Sequence, residues 1–238
     1  MDVSVPTPNP VFDQLFETGA PEVLAGTHHQ DAPPVDGGRW PVSITAFPPD
    51  EIRNRLATWL DAAVRHAGPG HFRTGGCDAV HLTIRALERY REAAAPTEPI
   101  VDLWRGAMER TAVATTAIRL LFTGFTVTRS GVLAQLEPVD DSAWELMDRL
   151  RTELGSEAWL EDGWMKRNIW YASLLHFADE IADPAGLVDW VAEHRSIEPV
   201  AFMINSMSLV RFRHRRDEGG QAMVPETWCT VPFAGTSG

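Results

Sequence analysis

Apolar and polar residues alternate at period two in several short runs of the chain, and the runs between them repeat apolar positions at helical spacing. These are the signatures of half-buried strands and of amphipathic helices. The first strand covers residues 40–47, with Val42, Ile44 and Ala46 on one face, and ends at Pro48-Pro49. A helix follows, capped by Asp50 and carrying Ile52, Leu56, Trp59, Leu60 and Ala63 before Gly68 and Pro69 break it. Residues 77–87 read as a strand and 99–117 as an apolar helix. Strands over 118–128 and 132–137 form a hairpin around Ser130-Gly131. Ser142 and Glu145 have the spacing of a capping box, at the head of a helix that runs through Trp144, Met147, Leu150 and Leu154. The pattern closes with a strand over 168–177, a helix begun by Asp183-Pro184, and strands over 200–213 and 223–233 with a loop over 213–220.

The order β-α-β-α-β, then β-α-β-α-β-β, has the form of one unit used twice, centred on the Ser130-Gly131 turn. With short connections it predicts an α+β, bilobal, duplicated fold in which two antiparallel sheets face a central cleft and the helices lie outside. Residues 38–238 form this domain. Residues 1–37, rich in Pro, Gly, Thr and Asp, read as a partly irregular arm, with one helical turn at Val11-Phe12 and Leu15-Phe16 and with His28-His29 in a solvated loop.

Charge narrows the partners. The 238 residues include 21 Lys and Arg against 33 Asp and Glu, a net charge of −12. Nucleic-acid binding is driven largely by basic side chains displacing counterions, so the balance points to a small-molecule substrate and no nucleic acid. Lys166 is the only lysine; the arginine excess reads either as a coding bias or as anion recognition. No apolar stretch reaches the roughly 20 residues of a membrane span, and the first ten residues lack the pattern of a signal peptide, so the expectation is a cytoplasmic protein without a membrane partner. Cys77 and Cys229 lie far apart, with no ligand spacing, and neither a metal nor a cofactor is expected. The oligomeric state is unknown from the sequence.

The chemistry concentrates in His81-Leu82-Thr83-Ile84. On a strand, His81 and Thr83 share one face while Leu82 and Ile84 enter the layer behind. An imidazole beside a hydroxyl can move a proton and bind an oxyanion. Arg85 has the same parity and reads as a substrate-binding residue. Trp40 offers a ring to a planar substrate, Trp164 belongs to the same Trp-rich set, and Trp170 faces away. Residues 211–216 carry four arginines and His214, but Asp217 and Glu218 beside them mark a solvated loop.

The arrangement resembles the two-histidine (2H) phosphoesterase superfamily, whose members carry two His-x-Thr/Ser-x motifs on equivalent strands of a duplicated fold. The resemblance covers roughly residues 39–233. It implies that His81 and Thr83 form the first motif and that the second falls on the strand around Tyr171 and Ser173, with a tyrosine at the histidine position. His176 stands at an odd offset from Tyr171, so only a bulge or register shift turns it to the same face. An unperturbed phenol, with a pKa near 10, is a poor base.

One imidazole opposite one phenol suits asymmetric acid/base work such as isomerisation, dehydration or cyclisation, in specialised-metabolite biosynthesis. The alternatives are a phosphodiesterase hydrolysing a small 2′,3′-cyclic phosphate, with Tyr171 or His176 replacing the missing histidine, and a non-catalytic ligand-binding protein.

Overall fold

The structure, a computed structural model, describes residues 9–163, 167–217 and 220–235. Its helices are α1 (Val11–Leu24), α2 (Asp50–Ala67), α3 (Pro99–Val113), α4 (Ser142–Leu154), α5 (Trp159–Asp162) and α6 (Pro184–Glu193). Its strands are β1 (Val42–Ala46), β2 (Leu82–Glu88), β3 (Ile118–Thr128), β4 (Gly131–Pro138), β5 (Trp170–His176), β6 (Val200–Ile204), β7 (Ser206–Asp217) and β8 (Gly220–Pro232). They form two four-stranded antiparallel sheets, ordered β2-β1-β7-β8 and β5-β4-β3-β6. The duplicated α+β architecture is the one the pattern predicts. Among the described residues no helix is long and apolar enough to cross a membrane.

The sheets meet along two edges. β2 approaches β5, and on the other side Phe72 lies between β5 and β8. Phe72 exchanges backbone hydrogen bonds with His176 at 2.9 and 3.0 Å, while Arg73 N–H donates to the Gln221 carbonyl at 2.8 Å. The cleft is thereby bounded by β2, β5 and the segment around Phe72.

Several elements differ from the sequence expectation. The first helix is not one turn but runs from Val11 to Leu24, with Phe12, Ala20 and Val23 buried. Its apparent breakers have a packing reason: a Cβ at Gly19 would lie 2.6 Å from the Thr128 backbone, so only glycine lets the helix close on β3. The segment after it is strapped to the body. His29 N–H donates to Arg129 at 2.7 Å, Asp31 N–H to Phe177 at 2.7 Å and Gly37 N–H to Tyr90 at 2.8 Å. His28 is buried, not solvated, and its Nε2 contacts the Asp179 carbonyl at 2.9 Å.

The strand expected from residue 77 begins at Leu82, because Ala79 and Val80 turn back onto the Gly76 carbonyl at 2.9 Å each. The capping box at Ser142 does not form; the Ser142 N–H is taken by Asp140 at 2.9 Å and Asp141 occupies the cap position. The strand expected over 200–213 is two strands: after β6 the chain leaves one sheet at Asn205 and enters the other as β7. β7 runs on to Asp217 within the expected loop and β8 begins at Gly220, and Arg213 and Arg215 pair with Glu226 and Asp78.

The decisive irregularity is a bulge on each side of the cleft. On β2, Thr83 pairs with Thr45 but Arg85 with Ile44, leaving Ile84 as an extra residue. On β5, Ser173 pairs with Leu133 but Leu175 with Val132, leaving Leu174 extra. The bulges fall at equivalent places in the two halves, immediately after the hydroxyl residue, and beyond each the two faces of the strand exchange, on β2 as far as a second extra residue at Leu87.

Gly131 sits opposite the end of the β5 bulge, where a Cβ would lie 2.1 Å from the Leu175 carbonyl oxygen. Gly131→Ala is expected to destabilise the protein by about 1 to 3 kcal/mol, as overpacking typically does, seen as a lower denaturant midpoint with an unchanged slope.

Candidate active site

The sheets bring His81, Thr83, Tyr171 and Ser173 to one cavity of about 140 Å³, together with Arg39, Trp40, Ser43, Arg167, His176 and Phe212. His81 stands at the mouth of β2, just ahead of its first residue. Its Nδ1–H donates to the Ala79 carbonyl at 2.8 Å, which leaves Nε2 as a lone pair for the cleft. Its ring lies 4.7 Å from that of Phe212. Burial depresses its pKa to about 4 despite the Ala79 hydrogen bond, and His176 and Arg167 push it further down. The imidazole is therefore neutral at physiological pH and able to accept a proton.

The bulges decide which other residues reach this cavity. Past Ile84 the cleft face of β2 is carried by Ala86. Arg85, expected at the cleft end of the strand, faces the opposite way and lines a separate cavity of about 650 Å³ under α4 and α5. There its guanidinium is buried, donating to the Ala158 carbonyl at 2.7 Å and pairing with Asp162. Past Leu174, conversely, His176 turns into the cleft beside Tyr171 and Ser173.

β2 and β5 are edge strands, and backbone groups on their outer edges beside the bulges are satisfied from outside the sheets. The Ala86 N–H donates to the buried Glu161 carboxylate at 2.9 Å, and the Leu174 carbonyl accepts from Gly75 N–H at 2.8 Å. Glu161 also holds Arg167, at 2.8 and 3.0 Å. Burial opposes the charge on Arg167, but Tyr171 and Glu161 beside it outweigh that and hold its pKa above the usual arginine value. Arg167 thus places a firm positive charge next to the Tyr171 phenol.

On the other flank, Asp31 is 5% exposed and accepts from Arg39 at 2.6 Å, while its other neighbour, His176, has Nδ1 3.3 Å away. Burial alone would push its carboxyl up, but His176 and Arg39 hold it below the usual carboxylate range. Burial lowers the pKa of His176, Asp31 opposes this, and Arg39 adds to it.

Trp40, expected as a stacking platform, is 6% exposed and spends its ring on the protein. It meets His176 edge-on at 4.9 Å, contacts Phe72 and Phe212, and lies under the Arg39 guanidinium at 5.6 Å. It adopts φ 71° with its indole N–H unpaired, a strained arrangement of the kind kept at functional sites. Trp164 lies outside the described residues. Trp170 is buried away from the cleft against Trp144. Among the described residues no group of three or more His, Cys, Asp or Glu side chains is placed to hold a metal ion.

Arg39, Arg167, His176 and Asp31 escape the sequence pattern, since period two puts His176 on the wrong face and nothing in the arm marks Asp31.

Two antiparallel sheets flanking a cleft, with the His81-x-Thr83 strand facing the Tyr171-x-Ser173 strand, match the two-histidine phosphoesterase fold. Among crystal structures with this fold, TT0787 of Thermus thermophilus aligns with a TM-score of 0.57 and 17% identity, over 82% of this chain and 98% of that one. E. coli LigT complexed with 3′-AMP aligns with a TM-score of 0.51 and 16% identity, over 82% and 98%. The apo form of LigT gives 0.52 and 15%, over 82% and 97%. The sequence matches no protein-family model and no curated protein. The likeness is one of fold.

A histidine kept neutral in the folded chain binds its proton only on unfolding, so its contribution to stability is present above its unfolded pKa of about 6.5 and is lost as pH falls toward about 4. Urea midpoints should therefore drop between about pH 7 and pH 4.5, and His81→Gln should remove roughly 2 to 3 kcal/mol of that dependence.

Proposed function

We propose that the cleft is the active site of an enzyme that performs acid/base chemistry on a small phosphate ester, with 2′,3′-cyclic phosphates as the first substrate class. The observation that carries this reading is the convergence of two imidazoles, two hydroxyls and the arginines Arg39 and Arg167 on one small cavity. Hydroxyls and guanidinium groups are the donors that phosphoryl oxygens call for. The acidic chain as a whole favours a small ligand over RNA. E. coli LigT has been crystallised with 3′-AMP, which makes adenine nucleotides a reasonable starting series.

In this mechanism His81 Nε2 takes a proton from a water molecule as its oxygen attacks phosphorus. Thr83 and Ser173 donate to the non-bridging oxygens, and Arg167 offsets their charge. As the P–O bond to the ribose oxygen breaks, that oxygen receives a proton from the β5 wall, where Tyr171 and His176 stand. The product is a phosphomonoester. General acid/base groups contribute about 10²- to 10⁴-fold to such reactions.

A second reading is favoured by one observation: His81 and Tyr171 occupy equivalent places in the two halves, with Arg167 beside the phenol. This pair suits isomerisation, dehydration or cyclisation of a carbonyl compound, with Tyr171 polarising the oxygen while His81 removes the proton.

Incubation with 2′,3′-cyclic AMP should release a phosphomonoester, and His81→Ala should lower kcat by about 100-fold or more. No turnover across a panel of cyclic phosphates, with thermal stabilisation by the same compounds, would indicate a binding protein instead.

A further inference from the structure

The reaction above leaves open which group on β5 protonates the departing oxygen. We propose that it is His176, held by the Asp31 carboxylate, so that the segment preceding β1 completes the active site. This rests on the phosphate reading of the cleft.

Four observations bear on it. The Leu174 bulge brings His176 to the cleft face, beyond Ser173, whereas the equivalent position on β2 is Ala86, so the imidazole is an addition peculiar to one half. Its backbone is clamped on both sides, to Phe72 by two hydrogen bonds and to β4 opposite Gly131. Its ring is set by the edge of Trp40 at 4.9 Å. Finally, Asp31 is a buried carboxylate in a segment already anchored by the backbone bonds of His29, Asp31 and Gly37. Burying a charge is expensive unless it is paired, and Asp31 spends that charge on His176 and Arg39.

With Nδ1 facing Asp31 at 3.3 Å, Nε2 is the nitrogen left for the cleft. In the imidazolium form Nδ1–H donates to Asp31, and Nε2–H is available to the leaving oxygen. In the neutral form Nδ1 accepts from Arg39 Nη2, also at 3.3 Å. The two partners pull in opposite directions, and a phosphate in the cleft adds negative charge that tips the balance toward imidazolium. The charged and titratable groups around His176 are Asp31 and Arg39 from the strap, His81 from the mouth of β2, and Tyr171 with Arg167 on its own wall; His29 also touches Asp31 at 3.2 Å. During turnover the Nε2 proton passes to the ribose oxygen as the P–O bond breaks. His81 meanwhile holds the proton taken from water, and exchange with solvent restores both imidazoles.

Nitrogen NMR of the full-length protein labelled with ¹⁵N-histidine, titrated with inorganic phosphate, reads both rings directly. The expected result is that phosphate moves His81 and His176 together, that His176 becomes imidazolium as phosphate binds, and that Asp31→Asn abolishes this protonation while His81 still responds. Phosphate moving His81 alone overturns the assignment of His176 and leaves the site reading intact; phosphate moving neither ring overturns both. In hydrolysis of 2′,3′-cyclic AMP, His176→Ala should lower kcat by about 100-fold with little change in KM, and added imidazole should restore part of it. Asp31→Asn should lower kcat by about tenfold and move the basic limb of the pH profile to lower pH, because it removes the group that favours the charged ring. A larger loss in Tyr171→Phe than in His176→Ala, with no rescue by imidazole, would assign the proton to the phenol instead.

Discussion

A β-strand has two faces, and a single extra residue exchanges them for the residues that follow it. In this chain the extra residue follows the hydroxyl in both halves, at Ile84 and at Leu174. Upstream of the bulges, regular alternation places His81 with Thr83 and Tyr171 with Ser173. Downstream, the exchange sends Arg85 out under α5 and brings His176 in. The composition of the cleft depends on these two insertions, and the outer edges of the strands that carry them are held by Glu161 and Gly75.

Those partners also organise the charge. Glu161 accepts from the outer edge of β2 and holds Arg167 beside Tyr171; Asp31 holds Arg39 and faces His176. Each of the two arginines at the cleft is thus backed by a buried carboxylate, Arg39 by Asp31 and Arg167 by Glu161. Such pairs are costly to break singly, since the remaining charge would be stranded. Preorganisation of this kind keeps donors fixed before a ligand arrives.

The duplicated architecture and the His81-x-Thr83 strand were legible in the sequence because period-two alternation is a local property that survives in both halves. The hairpin around Ser130-Gly131 was legible for the same reason. The bulges were not, because a period-two count carries no sign of an extra residue; they exist only in the pairing of β2 with β1 and of β5 with β4, strands distant from them in the chain. Without them, counting parity puts Arg85 at the site and His176 outside it. Asn205 was hidden in another way. A polar residue at an outward position continues an alternating pattern, and nothing local says that the chain changes sheets there. Asp31 lies in a Pro-rich stretch where an aspartate reads as a turn residue.

That change of sheet at Asn205 also orders the molecule in time. The sheet β5-β4-β3-β6 is drawn from one uninterrupted stretch of chain, whereas β2-β1-β7-β8 joins strands from both ends. Pairings so far apart in the chain are the slow ones to form. On a chain made from its N-terminus, the wall bearing Tyr171 and His176 has all its strands before β7 exists to pair with β1. The strand that follows His81 must wait in a two-stranded sheet with β1 until β7 arrives.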